Sequence, residues 1–381
     1  MAVEPKLQVP VRTTPDVQVT GEVVLYRLYD IGYEIDLDRA IGILGDRAPA
    51  RARPVRAEAQ AIQIPNPPVT VDLGTAVLML PGGPTEVQLS ARVFDFGVAS
   101  FRARLVFPGS APWTAFTRWG AACAGAPDWH ELFGRTRREL QQRIAAAIVN
   151  AGESPVVEDY TVFRVNRLTD ANGERLPASV LGDEDVSHLL IGEARPLSPA
   201  ARRDLLSQRF TYFEDDLAVL TWNAALIVEP IVDDSDVQYV VEFANAQLLE
   251  LRYYDALLDR ELPRMYDYIE EARHGFHLFG RRYSRLLSAL QARVAEATEL
   301  VERSENALKM TDDVFLARLY AAALEIFRGR TWRQGIDGKL AIIRDTYTML
   351  NGESQARRSE ALEVIIVLLI VIEIGLAFWR R

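Results

Sequence analysis

The chain has 381 residues, of which 49% are hydrophobic and 25% charged, and its formal net charge is -10. This composition is typical of folded globular proteins and excludes a mainly disordered or collagen-like chain, while the acidic balance argues against direct nucleic-acid binding. With one cysteine and four histidines, the chain lacks the material for a disulfide framework or a cysteine-rich metal site, and we expect no cofactor.

The N-terminal two thirds of the chain indicate an α+β head domain. Residues 1–20 carry three prolines and no apolar signal-peptide core, so we expect a disordered leader and a cytoplasmic location for most of the chain. Residues 21–230 mix strand-like and helix-like runs without regular βαβ spacing, which favours an α+β fold. The predicted strands are 23–26, 86–95, 98–107, 156–165 and 217–228, and the predicted helices are 112–124, 128–150 and 198–208.

Acidic residues mark two of the predicted helix starts in the head. Asp36 or Asp38 is placed to cap a short helix. Asp128 precedes Glu131 by three residues, which is the spacing of a capping box. We therefore expect a helix to begin directly after Asp128.

Residues 231–355 are predicted to form a helical stalk. Mostly apolar residues recur at alternate spacings of three and four, as in a coiled-coil seam. They occupy positions 287, 290, 294, 297, 301, 304 and 308. A second helix is expected to restart near Thr311 and to pack back as an antiparallel hairpin, with Pro263 as a breaker. A third helix is predicted over 339–350.

The C-terminal run 361–380 is predicted to be a transmembrane anchor. The 19 residues from Ala361 to Trp379 are apolar except for two glutamates, and as a helix they extend about 28 Å, close to the roughly 30 Å of a hydrocarbon core. Arginine pairs flank both ends. The alternative interpretation is a buried C-terminal core helix.

Glu363 and Glu373 interrupt this apolar run. A carboxylate at the middle of a bilayer costs about 2.5–3.5 kcal/mol unless it is protonated or bonded to a neighbour. We expect these glutamates, Glu373 above all, to make a self-association contact between membrane helices and therefore predict a homo-oligomer. A lone protonated side chain facing lipid, or a role in proton or ion handling, are the alternatives.

Three further groups have a candidate chemistry and a simpler structural interpretation. Glu270, His274 and His277 fall on one face of a helix and are weak candidates for metal ligands, although packing or surface roles are favoured. The acidic cluster at 233–236 suits a helix start better than a calcium site. Cys123, set among alanines, is expected to be a packing residue.

The C-terminal region resembles the required-for-meiotic-nuclear-division family. The matching features are the Leu350-Asn351 helix end, the Arg357-Arg358-Ser359-Glu360 lead-in, and the Leu362-Glu363 and Glu373-Ile374 pairs that bracket the apolar run. The resemblance implies an α/β head, helices and one terminal span. It also implies a role in membrane-bound support of translation, and it supplies no catalytic residues.

These patterns predict a non-enzymatic, membrane-anchored scaffold or tether whose head recruits a protein partner. An oligomeric channel or ion-linked membrane protein is one alternative, although the second span and Gly-Met-Asn loop of CorA-type channels are missing from the sequence. An enzyme with an active site in the head is the other. A pocket with clustered titratable groups would favour the enzyme.

Overall fold

The computed structural model describes residues 17–45, 66–80, 83–152, 154–192, 195–230, 235–274, 292, 295 and 313–379. These residues divide into two compact units, 17–253 with 313–330 and 254–274 with 331–379. The seam positions predicted between 287 and 308 lie outside the described residues, as does His277.

The first unit is built on a large, mostly antiparallel sheet. Its strand order is β3-β4-β5-β1-β8-β11-β10-β9, with β6 paired to the end of β1, and β11 runs parallel to β8. The strands are β1 Gln18–Asp30, β3 Val69–Leu80, β4 Gly83–Val93, β5 Val98–Val106, β6 Ala111–Pro112, β8 Val157–Thr169, β9 Arg209–Phe210, β10 Leu217–Leu220 and β11 Ala224–Val228. A separate two-stranded ladder joins β2 (Glu34–Ile35) to β7 (Ile148–Val149).

Eight α-helices occur within the described ranges. They are α1 Leu37–Leu44, α2 Trp113–Ala124, α3 Trp129–Arg143, α4 Asp183–Ile191, α5 Pro199–Leu205, α6 Asp236–His274, α7 Val314–Ile326 and α8 Gly329–Trp379. The large sheet together with these helices confirms the mixed α+β class that the sequence predicts.

Alternation along β1 gives the sheet two different faces. Val23 and Leu25 point into the main hydrophobic core, together with Phe116 of α2 and Leu132 of α3. The residues between them point to the opposite face, because successive strand side chains alternate in direction. That opposite face carries charged and hydroxyl-bearing side chains, and the first part of α6 packs on it through hydrogen bonds such as Gln238 to Tyr26.

Several predicted elements agree with the structure. The strands predicted over 86–95 and 98–107 are β4 and β5, which pair antiparallel. Asp36 caps α1 by accepting the backbone N–H of Arg39 at 3.0 Å. Asp313 caps α7, the helix expected to restart in this region.

Other predicted elements need correction. The helix expected over 128–150 ends at Arg143 and is followed by a 3-10 turn and β7, and the Asp128 side chain makes no capping bond. The strand expected over 217–228 is a hairpin of β10 and β11, because Thr221 turns the chain. Its backbone N–H and its Oγ1 both bond the carbonyl of Ala224, at 2.8 and 2.7 Å.

The second unit contains the end of α6 and most of α8. Lys339 Nζ bonds Asp255 at 2.7 Å and Asp259 at 2.6 Å, and Leu258, Met265, Ile336, Leu340 and Ile343 are buried. Two predictions are corrected here: Pro263 lies inside α6 without ending it, and the helix expected over 339–350 is part of the continuous α8. Judged over the residues that the structure describes, no helix is long and apolar enough for a membrane crossing.

Candidate functional site

The C-terminal part of α8 exposes apolar side chains on all sides. The seven consecutive residues 366–372 are each between 47% and 62% exposed, and Ile374 and Leu376 are exposed to a similar degree. Since consecutive residues of an α-helix are about 100° apart, seven of them cover every side of the helix. A contiguous apolar surface of this kind is typical of a region that lipid or another protein covers.

Glu363 and Glu373 both lie on α8 and both are exposed. Ten residues separate them, so they are about 15 Å apart along the helix and about 80° apart around it. The structure therefore does not bring these two carboxylates together. Their role as contacts between membrane helices stays a prediction.

The structure describes only part of the three candidate metal ligands. Glu270 and His274 belong to α6, and neither their side chains nor His277 are among the described atoms. In the part of the chain that the structure describes, no three His, Cys, Asp or Glu side chains come together as metal ligands.

A layer of charged and hydroxyl-bearing side chains separates the sheet from α6. We call it the charged layer, and its members are Glu22, Tyr26, Arg92, Arg104, Glu158 and Arg164 of the sheet with Gln238, Glu242 and Arg252 of α6. Its central contact is the ion pair between Arg92 of β4 and Glu242, whose side chains are 3% and 0% exposed. The ring of Tyr239 lies 4.7 Å from the Arg92 guanidinium carbon, so the cation also faces an aromatic surface.

A second group of charges is centred on Glu22. Arg104 Nε donates to Glu22 Oε2 at 2.6 Å, and Arg164 donates to Glu22 Oε1 at 3.1 Å. The register of β1 explains the contact with Arg164, because Glu22 lies directly opposite it on β8. One carboxylate from β1 therefore pairs with arginines from both neighbouring strands.

Two further contacts join α6 to the sheet. Gln238 donates to the hydroxyl of Tyr26, and Arg252 forms an ion pair with Glu158. Burial raises the pKa of Tyr26, so its hydroxyl stays protonated at neutral pH. Burial also raises the pKa of Glu158, and the neighbouring Arg252 opposes that rise.

The charged layer is suited to holding a helix in one position. The contacts of Gln238, Glu242 and Arg252 join α6 to buried or half-buried groups of the sheet, and a register slip of α6 would break all three at high cost. Paired ions and protonated tyrosines supply neither a nucleophile nor a proton-transfer group that titrates near neutral pH. The geometry therefore points to structural docking.

Sequence reasoning did not find the charged layer. Charged residues in a predicted strand such as 98–107 indicate a solvent-facing side, although Arg104 bonds Glu22, which lies 82 positions earlier in the chain. The polar residues Gln238 and Glu242 of α6 are the feature that could have indicated the charged layer. They are one helical turn apart and lie within the run 237–250, in which every residue is buried.

Cys123 is fully buried on α2, in agreement with its expected packing role. Burial raises the pKa of its thiol to about 11. The thiol is therefore protonated at neutral pH and is a poor nucleophile.

A family model matches the sheet-containing region of the chain. The family model described as "Uncharacterized protein MJ0711, N-terminal domain" matches residues 20–235. Uncharacterized protein MJ0711 of Methanocaldococcus jannaschii is 24% identical over 252 residues, which cover 66% of this chain and 74% of that protein. No solved structure matches the chain. The resemblance to the required-for-meiotic-nuclear-division family stays a prediction, because these matches do not include it.

Proposed function

We propose that residues 20–235, by which the chain belongs to the family of the MJ0711 N-terminal domain, form the head of a membrane-anchored, non-enzymatic scaffold. The end of α8 holds the head beside a lipid bilayer, and the head recruits a protein partner. The resemblance of the C-terminal region to the required-for-meiotic-nuclear-division family suggests a partner connected with translation. The proposal depends mainly on one observation, the exposed apolar surface of residues 366–372.

Lipid suits this surface better than a single protein partner does. One packed helix covers a stripe of its neighbour, whereas residues 366–372 are exposed in every direction around α8. A bilayer covers all sides at once. The described part of α8 does not by itself reach the length and hydropathy of a span, whereas the 19 residues 361–379 of the full sequence extend about 28 Å as one helix, close to the roughly 30 Å of a hydrocarbon core. The continuity of that run is taken from the sequence, since some of its side chains lie outside those that the structure describes.

The paired charges of the charged layer support a binding role for the head. They fix α6 on the sheet, with the Arg92–Glu242 pair at the centre. A rigid head with a fixed surface is suited to recognising a partner with little rearrangement.

Two arginines placed in the apolar run should release the protein from membranes. Each arginine near the centre of a span costs on the order of 2.5–3.5 kcal/mol, so we expect Leu369→Arg with Val371→Arg to move most of the protein into the supernatant of lysed cells. Ultracentrifugation without detergent, followed by immunoblotting of pellet and supernatant, measures the distribution.

The matched control is Ile342→Arg with Met349→Arg, because these apolar residues are exposed on the same helix but outside the run. This control variant should stay in the pellet and resist carbonate extraction, as should the unaltered chain. Unaltered protein that remains in the supernatant would refute the anchor.

Replacing Glu373 by leucine should weaken self-association. A hydrogen bond between membrane helices contributes on the order of 1 kcal/mol, which corresponds to an approximately fivefold weaker dimer. Sedimentation equilibrium in density-matched detergent measures the change. Glu363→Leu, at the start of the run, is the comparison variant and should have a smaller effect. An unchanged mass distribution for Glu373→Leu would end the proposed role of this residue.

A further inference from the structure

A cavity of about 370 Å³ lies between α3 and the β3–β4 hairpin. It belongs entirely to the first unit and is separate from both the charged layer and the apolar end of α8. Its lining residues are Leu73, Thr75, Ala76, Leu89, Arg135, Thr136, Glu139, Leu140 and Arg143. The floor of the cavity therefore carries leucine and alanine side chains beside Thr75 and Thr136, and the charged residues come from α3.

A β-bulge shapes the floor. The pairing of β3 with β4 shifts register between Asp72 and Gly74, so Leu73 is an additional residue in β3. Gly74 has a φ of +78° and donates its N–H to Asp72 Oδ1 at 2.8 Å, which stabilises the bulge. A Cβ atom added at Gly74 would meet no heavy atom within 4 Å, so the backbone leaves open space here.

The rim comes from one side of α3. Arg135, Glu139 and Arg143 follow one another at intervals of four residues and are all exposed, whereas Thr136 and Leu140 beside them are buried. Among the described ion pairs, none involves these three rim residues. Arg135 and Arg143 are about 12 Å apart along the helix axis, so two guanidinium groups with available donors flank the mouth of the cavity.

We propose that this cavity binds a small amphipathic monoanion, an alkyl carboxylate. The apolar tail packs against Leu73, Ala76, Leu89 and Leu140, and the carboxylate accepts hydrogen bonds from Arg135 or Arg143. The volume is near the lower end of the roughly 300–1,000 Å³ of small-molecule sites, which suits a short chain.

Glu139 determines the charge that the site accepts. It lies between the two arginines on the rim, so the rim has a net charge of +1. A single carboxylate is neutralised by this arrangement, whereas the second negative charge of an alkyl phosphate is repelled by Glu139. A neutral amide of the same length keeps the apolar contacts but loses the charge-assisted hydrogen bonds.

Photoaffinity labelling of the full chain in membranes tests the proposal. The probes are a decanoate that carries a diazirine on its alkyl chain, its primary amide and the corresponding alkyl phosphate, with adducts located by peptide mass spectrometry. We expect the carboxylate to label the peptides that contain Leu73, Leu89 or Leu140. The amide and the phosphate should label these peptides at about one tenth of that level or less.

Three variants sharpen this test. Arg135→Gln with Arg143→Gln should reduce carboxylate labelling of the cavity about tenfold, while Arg138→Gln, an exposed residue of α3 outside the lining, should leave it unchanged. Glu139→Gln should raise labelling by the alkyl phosphate. Circular dichroism confirms that each variant is folded.

Equal labelling by the carboxylate and the amide would overturn the proposal, because the apolar floor alone would then explain binding. Carboxylate labelling that persists in the Arg135 and Arg143 double variant would also overturn it. An absence of adducts in the lining peptides has the same consequence. The site does not depend on the membrane anchor, so loss of membrane attachment and loss of labelling are separate results.

Discussion

Replacing Glu242 by alanine is expected to lower the free energy of unfolding by about 3–5 kcal/mol. The variant leaves Arg92 as a cation whose side chain is 3% exposed and has lost its carboxylate. Removing one partner of a buried ion pair is costly, because the remaining charge keeps its desolvation cost and loses the carboxylate that offset it. Urea denaturation followed by tryptophan fluorescence measures the loss.

Glu261→Ala is the matched control. Glu261 also belongs to α6 and pairs with Arg264, whose side chain is 65% exposed, at 3.0 Å. A solvent-exposed pair of this kind contributes about 0.5 kcal/mol or less. Similar losses of unfolding free energy for Glu261→Ala and Glu242→Ala would show that the Arg92–Glu242 pair contributes no more to stability than an exposed pair.

A double variant separates the cost of removing only Glu242 from the net contribution of the ion pair to stability. In Arg92→Met with Glu242→Leu, both charges are removed and apolar volume is restored. We expect this double variant to recover most of the stability that Glu242→Ala loses, since buried ion pairs are often replaced by apolar residues at little cost. Such recovery would assign the function of the pair to the positioning of α6.

The second large effect is a pH dependence that arises from Asp30 at the end of β1. Its side chain is buried and accepts the N–H of Gly32 at 3.1 Å. Burial raises the pKa of Asp30 to about 7, although the hydrogen bond from Gly32 opposes the rise. The folded protein therefore keeps this proton over a pH range in which the unfolded chain has already lost it.

The direction of the pH dependence follows from the proton that Asp30 keeps in the folded state. The contribution of protonated Asp30 to the free energy of unfolding is fully present below pH 3.8, the ordinary pKa of the group. It is lost as the pH rises towards about 7. Between pH 5 and pH 8 the loss is roughly 3 kcal/mol, since each pKa unit corresponds to about 1.4 kcal/mol. Asp30→Asn removes this loss, so the variant should be more stable than the unaltered protein at pH 8 and similar to it near pH 4.

The measurement is the difference in unfolding free energy between Asp30→Asn and the unaltered chain across pH 4 to pH 8. Taking the difference cancels the contributions of the titrating groups that do not interact with Asp30. Asp267→Asn, at an exposed position of α6, is the control and should give a nearly constant difference. A constant difference for Asp30→Asn as well would contradict the raised pKa.

Local patterns predicted the parts of the fold that depend on local geometry. The alternation between 86 and 107 is that of β4 and β5, and the start of α3 followed from the acidic residues near 128. β3 was missed because the bulge at Gly74 breaks its alternation. The β10–β11 hairpin reads as one strand in the sequence because 217–220 and 224–228 are both apolar and only three residues, 221–223, separate them.

Whether a candidate site could be predicted from the sequence also depends on how far apart its residues lie in the chain. The apolar run of α8 can be recognised in the sequence because its members are consecutive. The charged layer cannot, because Arg92 and Glu242 are 150 positions apart and Arg164 and Glu22 are 142 apart. Charged residues on a strand are normally interpreted as exposed, and only the pairing of distant elements shows that these are buried.

The charged layer has a consequence for synthesis of the protein. The sheet strands emerge from the ribosome before α6, so the face that α6 covers stays uncovered while the chain is still growing. An apolar face would expose the nascent domain to aggregation during that interval. A face carrying Glu22, Arg92 and Arg164 stays hydrated until Glu242 arrives. The charged side chains that lie under the helix in the finished protein thus also make the exposed face of the unfinished sheet more polar.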